Sequence, residues 1–355
     1  MFKKNKVLIT GVLPLILATT GSFSSTTFAQ DFVQLTLETD ADLLVLGMGD
    51  TSLNNTINGG RIEIKEGGYA KGTQVNNGGA QVVFDGGIAD ATIVNNGGQL
   101  LLNESGQAQY TSLYSGGKMF MKGTAIAAET TLFKAPSEMH VSDGALSKST
   151  TVRLGAAQFV TGNATDDFAT IEAGGLQFAS GKATVQNATI SGGESVQTLS
   201  GNAVGSAIIL KNNGTQHVGG SARVNDVTLL SGDPTQNLFG KAQSNNSTVL
   251  DGLMFISDNA SAFGVEVKSK GLVTLTGNAR AEQINIGNGG KLNLNSAGAN
   301  ANDIVINKGG EMRVFVGKAS NIVVRSGGTL RAYQQSDITN VTVEDGGVYI
   351  PKITP

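Results

Sequence analysis

The sequence predicts an all-β protein, a single-stranded parallel β-helix (a solenoid) of about sixteen coils of ~19 residues. Three observations support this fold class. A Gly-Gly pair, or a degenerate version of one, recurs sixteen times between residues 59 and 347, at spacings of 18 to 21 residues. Each repeat holds two short runs that favour β-strand, and no segment shows helical periodicity. The 49 glycines among 355 residues suit many tight turns.

The first 29 residues are predicted to be a signal peptide outside the fold. Three lysines within the first six residues precede a mostly apolar stretch over residues 7–17, and small residues lead to a cleavage site after Ala29. The apolar stretch is too short for a membrane-spanning helix, and an N-terminal buried strand is the alternative. We therefore expect an exported mature chain that begins at Gln30.

Composition narrows the class of partner. Without the three lysines of the signal, 22 basic residues face 28 acidic ones, a net charge of −6. Such a chain lacks the basic footprint of a nucleic-acid-binding protein, so we expect no nucleic-acid partner. The chain has no cysteine although it is exported, so rigidity should come from backbone ladders and stacking.

Residues 92–111 show the organisation of one repeat. A β-prone run, Thr92-Ile93-Val94, leads to a turn over 95–98, a second run over 99–102 and a second turn over 103–106. We predict two strands and two turns per coil, with Asn and Gly tolerating the positive φ of the corners.

Alternation within the second run predicts which side chains point inward, because successive residues of a strand face opposite sides. The inward set of the second run is Ile62, Ile64, Leu100, Leu102, Met119, Met121, Leu292, Leu294, Met312 and Val314. The first run supplies a second inward column, Ile57, Val75, Ile93, Leu113, Leu132, Val152, Ile171, Ile190, Val249, Ile286, Ile306, Val324 and Val343.

Two further columns each have two interpretations. An alanine recurs after the second turn of the repeat. It indicates a corner too tight for a larger side chain, or it reflects only that alanine is a common residue. The residues are Ala70, Ala89, Ala108, Ala125, Ala164, Ala183, Ala203, Ala222, Ala242, Ala260, Ala279 and Ala319. Four glutamines occupy a slot that is apolar in other repeats, Gln81, Gln158, Gln177 and Gln216. They form either an internal amide ladder or an outward-facing set after a local register change.

The predicted organisation is a signal peptide over 1–29, N-terminal capping coils over 30–55, a β-helix repeat region over 56–350 and a tail over 351–355. The capping coils are needed because an uncovered sheet edge templates aggregation. Pro351 and Pro355 are expected to end strand pairing.

The best copy of the repeat, Thr73 to Ala89, reads TQVNNGGAQVVFDGGIA. This pattern closely resembles the passenger stalk of AIDA-type autotransporter adhesins of Gram-negative bacteria, over about residues 50–350. The resemblance implies a right-handed parallel β-helix on the cell surface that serves adhesion to host cells or self-association between bacteria, and hence virulence and biofilm formation.

The resemblance also implies a translocator β-barrel, and no such region appears before Pro355. We therefore expect a truncated or separately encoded passenger, or a chain that reaches the surface with the help of a separate outer-membrane translocator, or release of the chain. The expected location is the cell surface and outer membrane, or the medium after secretion.

Catalytic, cofactor and metal motifs are not apparent, so we predict a protein that is not an enzyme. Asp166-Asp167 is the only adjacent acidic pair and is interpreted as a solvated loop. His140 and His217 lie in separate repeats and are interpreted as surface residues. The alternative is a polysaccharide-active β-helix enzyme, which needs clustered outward carboxylates.

The predicted function is an adhesin stalk that acts through a repetitive polar face, where many weak contacts add up by multivalency. The expected partner is a second copy of the chain, or a receptor or glycan on a host cell. The alternative is a secreted effector or ligand that uses the solenoid to reach a host receptor. The candidate lateral-contact face mixes both signs of charge and consists of Arg61, Glu63, Lys65, Lys118, Lys122, Glu311 and Arg313.

Overall fold

A computed structural model describes residues 29–354, which divide into two compact units on either side of the Thr150–Thr151 bond. The predicted signal peptide lies outside the described residues except for Ala29. Each unit is a parallel β-solenoid, and residues 29–354 contain no helix. The all-β, parallel β-helix prediction is therefore confirmed.

The first unit contains the strands β1 (Asp31–Val33), β2 (Thr36–Leu37), β3 (Leu43–Leu46), β4 (Thr51–Leu53), β5 (Thr56–Ile57), β6 (Arg61–Ile64), β7 (Tyr69–Lys71), β8 (Gln74–Val75), β9 (Ala80–Val83), β10 (Ile88–Asp90), β11 (Ile93–Val94), β12 (Gln99–Leu102), β13 (Gln107–Gln109), β14 (Ser112–Leu113), β15 (Lys118–Met121), β16 (Ile126–Ala128), β17 (Thr131–Leu132), β18 (Glu138–Val141) and β19 (Leu146–Lys148).

The second unit contains β20 (Thr151–Val152), β21 (Ala157–Val160), β22 (Thr165–Asp167), β23 (Thr170–Glu172), β24 (Leu176–Ala179), β25 (Thr184–Gln186), β26 (Thr189–Ser191), β27 (Val196–Leu199), β28 (Val204–Ser206), β29 (Ile209–Lys211), β30 (Thr215–Val218), β31 (Arg223–Asn225), β32 (Thr228–Leu229), β33 (Thr235–Leu238), β34 (Gln243–Asn245), β35 (Thr248–Val249), β36 (Leu253–Ile256), β37 (Ser261–Val267), β38 (Leu272–Leu275), β39 (Arg280–Ile286), β40 (Lys291–Ile306), β41 (Glu311–Val324), β42 (Thr329–Val343) and β43 (Val348–Ile353).

Each coil has three strands, not the two that the sequence predicted. A four-residue long strand such as β6 is followed by a three-residue middle strand such as β7 and a two-residue short strand such as β8. A left-handed residue, Gly72 in this coil, turns the chain between the middle and short strands. The middle strand was missed because three residues are too few to display an alternation. In β37 and β39 the middle and short strands merge, and β40 to β42 run through whole coils.

The strands stack in parallel and in register, each on the equivalent strand of the next coil of its unit. β6 pairs with β9 through Arg61↔Ala80, and β9 pairs with β12 through Ala80↔Gln99. All ten predicted inward residues of the long strands are at most 1% exposed. This core prediction is confirmed.

Two members of the short-strand column are wrong. Val94, not Ile93, points inward, because Val94 pairs with Val75 in β8 and with Leu113 in β14. Val343 ends β42 and is 44% exposed, since β43 pairs with β42 only as far as Tyr333.

The alanines form two columns, so the single corner column is wrong. Four of them sit in the middle of the middle strands, where Ala70, Ala89 and Ala108 are direct partners and Ala319 belongs to the same column. The remaining eight precede the middle strand by one residue, at the position that Gly106 holds before β13. A Cβ on Gly106 would lie 2.7 Å from the carbonyl oxygen of Val83, so this second column is the tight place.

The glutamines point inward, which resolves the two alternatives in favour of burial. Gln81, Gln158, Gln177 and Gln216 are all 0% exposed. In the second unit Nε2 of Gln177 donates to Oε1 of Gln158 at 2.7 Å, and the chain continues through Gln197, Gln216 and Gln236 at 2.6 to 2.7 Å. Gln81 stands apart in the first unit, where Thr92 donates to its Oε1.

The interpretation of Asp166 as part of a solvated loop is wrong. The sequence suggested a solvated loop, whereas Asp166 lies in β22 and is 0% exposed. Its carboxylate accepts hydrogen bonds from Nε2 of Gln158 and of Gln177, each at 2.8 Å. The amide ladder supplies donors that make burial of this carboxylate tolerable.

The two ends of the described chain are paired. Within the predicted capping region 30–55, β1, β2 and β3 pair in parallel with β4, β5 and β6. At the other end β43 continues through Pro351 to Ile353, within the predicted tail.

Candidate lateral contact surface

The outward residues of the long strands form columns along each unit. In the first unit one column contains Arg61, Ala80, Gln99, Lys118 and Glu138, each paired with the next. Outward and inward residues alternate because the strand has a period of two. The strands therefore set the direction of Arg61, Glu63, Lys118, Glu311 and Arg313, while Lys65 and Lys122 follow directly after strand ends.

Arg61, Glu63 and Lys65 form one cluster in and after β6. Arg61 approaches Glu63 at 2.7 Å and Lys65 approaches the other carboxylate oxygen at 3.7 Å. The Glu63 side chain is 15% exposed, whereas those of Arg61 and Lys65 are 51% and 53% exposed. The carboxylate thus lies beneath two cations, and the cluster presents positive charge to solvent.

Lys118 belongs to a second cluster, with a partner that the sequence analysis did not name. Its Nζ lies 2.9 Å from Glu138, and Nε2 of His140 lies 3.2 Å from the same oxygen. Hydrogen bonds from Lys118 and then His140 hold the pKa of Glu138 below its ordinary value. The His140 ring stacks on Phe120, with the ring centroids 5.0 Å apart.

The structure does not bring the two clusters of the first unit together. Ala80 and Gln99 separate Arg61 from Lys118 in their column, so three steps of ~4.8 Å lie between the two cations. The neighbouring outward column contains Val82 and Leu101, and is apolar at these coils. Lys122 is exposed and lies one position beyond the end of β15.

Glu311 and Arg313 form the cluster of the second unit, again with a partner that was missed. Arg313 donates two hydrogen bonds to Glu311, at 2.8 and 2.9 Å, and Arg331 of the next coil donates a third at 2.9 Å. Partial burial would raise the pKa of Glu311, but the bonds from the two arginines outweigh it and the pKa lies below the usual range.

The partners Glu138 and Arg331 carried a signal in the sequence. Both occupy the outward phase of alternating runs, Glu138-Met139-His140-Val141 and Leu330-Arg331-Ala332. Their ionic partners are 20 residues away in the preceding coil. Alternation alone identifies the outward phase, but the pairing requires the register between coils.

An acidic edge accompanies the clusters of the first unit. The turn after the long strand carries exposed carboxylates in four of its coils, Glu66, Asp85, Glu104 and Asp143. In the first unit two cations meet one carboxylate around Glu63, a net charge of about +1, whereas Lys118 and Glu138 balance each other. The first unit therefore presents a basic cluster beside an acidic edge. The candidate lateral-contact face therefore stays a prediction.

Residues 29–354 contain no group of three His, Cys, Asp or Glu side chains arranged to hold a metal ion. His217 is half-exposed in β30 and lies 3.3 Å from Asn237 of the next coil. Over the same residues, no helix is long and apolar enough to cross a membrane.

Comparison with known proteins identifies the repeat. A family model described as an adhesin of the bacterial autotransporter system, probable stalk, matches residues 54–98 and 84–135. A search of curated proteins found no significant match.

Two solved structures are similar to the chain. A TibC-catalysed hyper-glycosylated fragment of TibA aligns with 92% of this chain and 100% of its own, at 23% identity and a TM-score of 0.48. The surface protein and adhesin PfbA of Streptococcus pneumoniae aligns with 88% of this chain and 91% of its own, at 12% identity and a TM-score of 0.22.

The matched coils show the features of the predicted repeat, with the Gly-Gly turn, the inward Ile, Leu and Val residues and the in-register parallel pairing. Residues 54–135 of this chain therefore match the probable stalk of the bacterial autotransporter adhesins.

Proposed function

We propose that this chain is a surface-exposed adhesin stalk whose copies associate laterally, the basic clusters of one copy meeting the acidic edge of another. The observation that carries the proposal is the difference in burial between the acidic and the basic side chains of each cluster. In each cluster the carboxylate is more buried than its cations, so the cations remain available to a second molecule.

Charge balance favours a second copy as the partner. The chain as a whole is acidic, with a formal charge of −3, although its clusters around Glu63 and Glu311 are basic. Exposed acidic residues such as Glu66 and Asp85 lie at the turn next to the basic columns. Two copies in antiparallel orientation would satisfy both sets of charges reciprocally, as expected of an isologous interface.

Weak contacts suffice if they are repeated. A single exposed ion pair contributes about 0–1 kcal/mol, too little to hold two proteins together. Several pairs formed in register add up, because each contact after the first forms within one complex. The stacking of equivalent residues from coil to coil provides that repetition.

The test is a pair of charge-reversed variants studied by sedimentation velocity and bacterial clumping. The first carries Arg61→Glu, Lys65→Glu and Lys118→Glu, and the second carries Glu66→Lys, Asp85→Lys and Glu104→Lys. Each variant alone should stay monomeric at concentrations where the parent associates, because like charges then face each other. An equimolar mixture should associate again, since each variant complements the other.

A control with the same change of charge places three reversals elsewhere, Lys182→Glu, Lys241→Glu and Lys270→Glu, and should associate like the parent. Association that survives both reversals, or a mixture that stays monomeric, would show that these charges do not form the contact. A receptor or glycan on a host cell would then be the favoured partner.

A further inference from the structure

A shallow groove follows one corner of the last coils of the second unit. Two depressions of ≈ 310 and ≈ 350 Å³ overlap there and share Asp303 and Val305. The corner lies between the middle and short segments of β39 to β42, where each coil has one left-handed residue. These residues are Gln283, Asp303, Asn321 and Asn340, with φ between 53° and 56°.

One wall of the groove is a row of polar side chains that are joined to one another by hydrogen bonds from coil to coil. Nδ2 of Asn340 donates to Oδ1 of Asn321 at 2.6 Å, and Nδ2 of Asn321 donates to Asp303 at 2.9 Å. A side-chain amide offers two N–H donors and two lone pairs. Asn340 and Asn321 are exposed, so the remaining carbonyl lone pairs of both and one N–H of Asn340 are available to a ligand.

The lining of the groove is aliphatic. Val305 and Val323 are direct partners in β40 and β41, occupy the outward phase and are half-exposed. Beyond them Arg325 donates to Oδ1 of Asn307 at 3.1 Å. The depressions thus combine a polar row with an aliphatic strip, repeated at the rung spacing of ~4.8 Å.

From this pattern we infer that the groove binds an extended, uncharged, β-1,4-linked glycan. Sugar hydroxyls both donate and accept, which matches a row of amide and carboxylate groups, and the C–H faces of pyranose rings match the valines. The ligand must be linear and repetitive because the row is linear and repetitive. The carboxylate of Asp303 in the wall disfavours an anionic sugar.

A peptide strand fits less well. Strand addition needs unpaired backbone N–H and C=O groups. At this corner the backbone groups pair from coil to coil, as in Ile304↔Ile322 and Val305↔Val323 of β40 and β41. Recognition in the groove is therefore left to side chains, which is the usual mode for sugars in a shallow site.

The test uses the purified chain and three hexasaccharides, with binding followed by ligand-observed nuclear magnetic resonance. Cellohexaose is the extended neutral probe, maltohexaose is the coiled neutral control, and a hyaluronate hexasaccharide is the anionic control. We expect weak binding of cellohexaose, with Kd on the order of 1 mM. Maltohexaose and hyaluronate should bind at least about tenfold more weakly.

The variant Asn321→Gly with Asn340→Gly removes two amides while keeping residues suited to a left-handed backbone. It should weaken cellohexaose binding at least about tenfold, as should Val323→Lys, which fills the strip. The matched control, Asn187→Gly with Asn246→Gly, makes the same change at the same corner of other coils, with φ of 56° and 54°. It should bind like the parent, and circular dichroism should be unchanged throughout.

If the parent does not bind cellohexaose, or if the two groove variants bind it as the parent does, the proposed glycan site is wrong. Equal binding of maltohexaose would overturn the extended-glycan assignment. Lateral association is scored by sedimentation in the absence of sugar, so its success or failure is independent of these outcomes.

Discussion

At the scale of single residues, the buried glutamines depend on neighbouring coils for their hydrogen bonds. From Gln177 onward each Nε2 of the ladder points to the preceding coil, and Nε2 of Gln158 points to Asp166 in its own coil. The donors therefore converge on Asp166, and the acceptors face the other way. The far end is Oε1 of Gln236, which accepts no hydrogen bond. Next to Gln236 in this column stands Met254, an apolar residue that ends the ladder.

Replacing one internal glutamine should destabilise the second unit. In Gln197→Met, Oε1 of Gln177 loses its donor and Nε2 of Gln216 loses its acceptor, while the side-chain volume is nearly kept. Two buried unsatisfied groups cost about 1–3 kcal/mol each. We expect the free energy of unfolding in urea to fall by about 2–6 kcal/mol, with faster hydrogen exchange in β27.

The matched control is Gln99→Met, the same replacement at an exposed outward position of the first unit. It should change the free energy of unfolding by less than about 0.5 kcal/mol, as surface substitutions usually do. Equal effects of the two replacements would mean that the ladder contributes no more than a surface residue.

At the scale of the element, the Gly-Gly turn needs its two glycines for different reasons. Gly78 has φ of 81°, in the left-handed region that favours glycine. Gly79 has no such φ, but a Cβ there would lie 2.4 Å from the carbonyl oxygen of Ile57 in the preceding coil. The first glycine permits the turn, and the second permits the coils to approach each other.

Gly79→Ala should therefore destabilise the first unit, because the contact is with backbone and cannot be relieved by a rotamer change. Overpacking of this kind costs about 1–3 kcal/mol. Thermal and urea unfolding followed by circular dichroism would measure the loss.

Gly193→Ala is the control, at a glycine in the same turn of another coil, two residues before Ser195, which holds the position that corresponds to Gly79. A Cβ on Gly193 would have no heavy atom within 4 Å, and Gly193 has no left-handed φ. This variant should be neutral or more stable by about 0.4–1 kcal/mol, through the loss of unfolded-state entropy. If both alanines destabilised equally, backbone freedom and not close approach would explain the second glycine.

At the scale of the whole molecule, the sequence predicts features that repeat within a coil and misses features that depend on pairing between coils. The inward phase of Ile62, Ile64, Met119 and Met121 follows from alternation and is correct. The burial of Asp166 depends on Gln158 and Gln177, which lie 8 and 11 residues away and meet it only in the folded coil. Adjacency to Asp167 therefore suggested the wrong environment.

The candidate contact face shows the same limit. Alternation placed Arg61, Glu63 and Lys118 outward, as the structure has them. Which charges neutralise each other depends on register, since Lys118 meets Glu138 and Glu311 meets Arg331 across 20 residues. Repeat spacings that vary from 18 to 21 residues blur that register in the sequence.

Lateral association through charges should weaken as salt is added. Raising the salt from about 0.1 M to about 1 M shortens the Debye length from about 10 Å to about 3 Å and screens exposed pairs. Sedimentation velocity across this range should show the association constant falling at least about tenfold. The fold itself should persist by circular dichroism, since it rests on backbone ladders and buried apolar residues.

Salt also separates this contact from an apolar one. Phe159 and Phe178 stack in the outward phase of β21 and β24, with ring centroids 5.3 Å apart. A contact between copies made through these rings would be strengthened or left unchanged by added salt. Association that rises with salt and is lost in Phe178→Ser would place the interface on these rings. Association that falls with salt and survives Phe178→Ser would leave the basic clusters and the acidic edge as the contact.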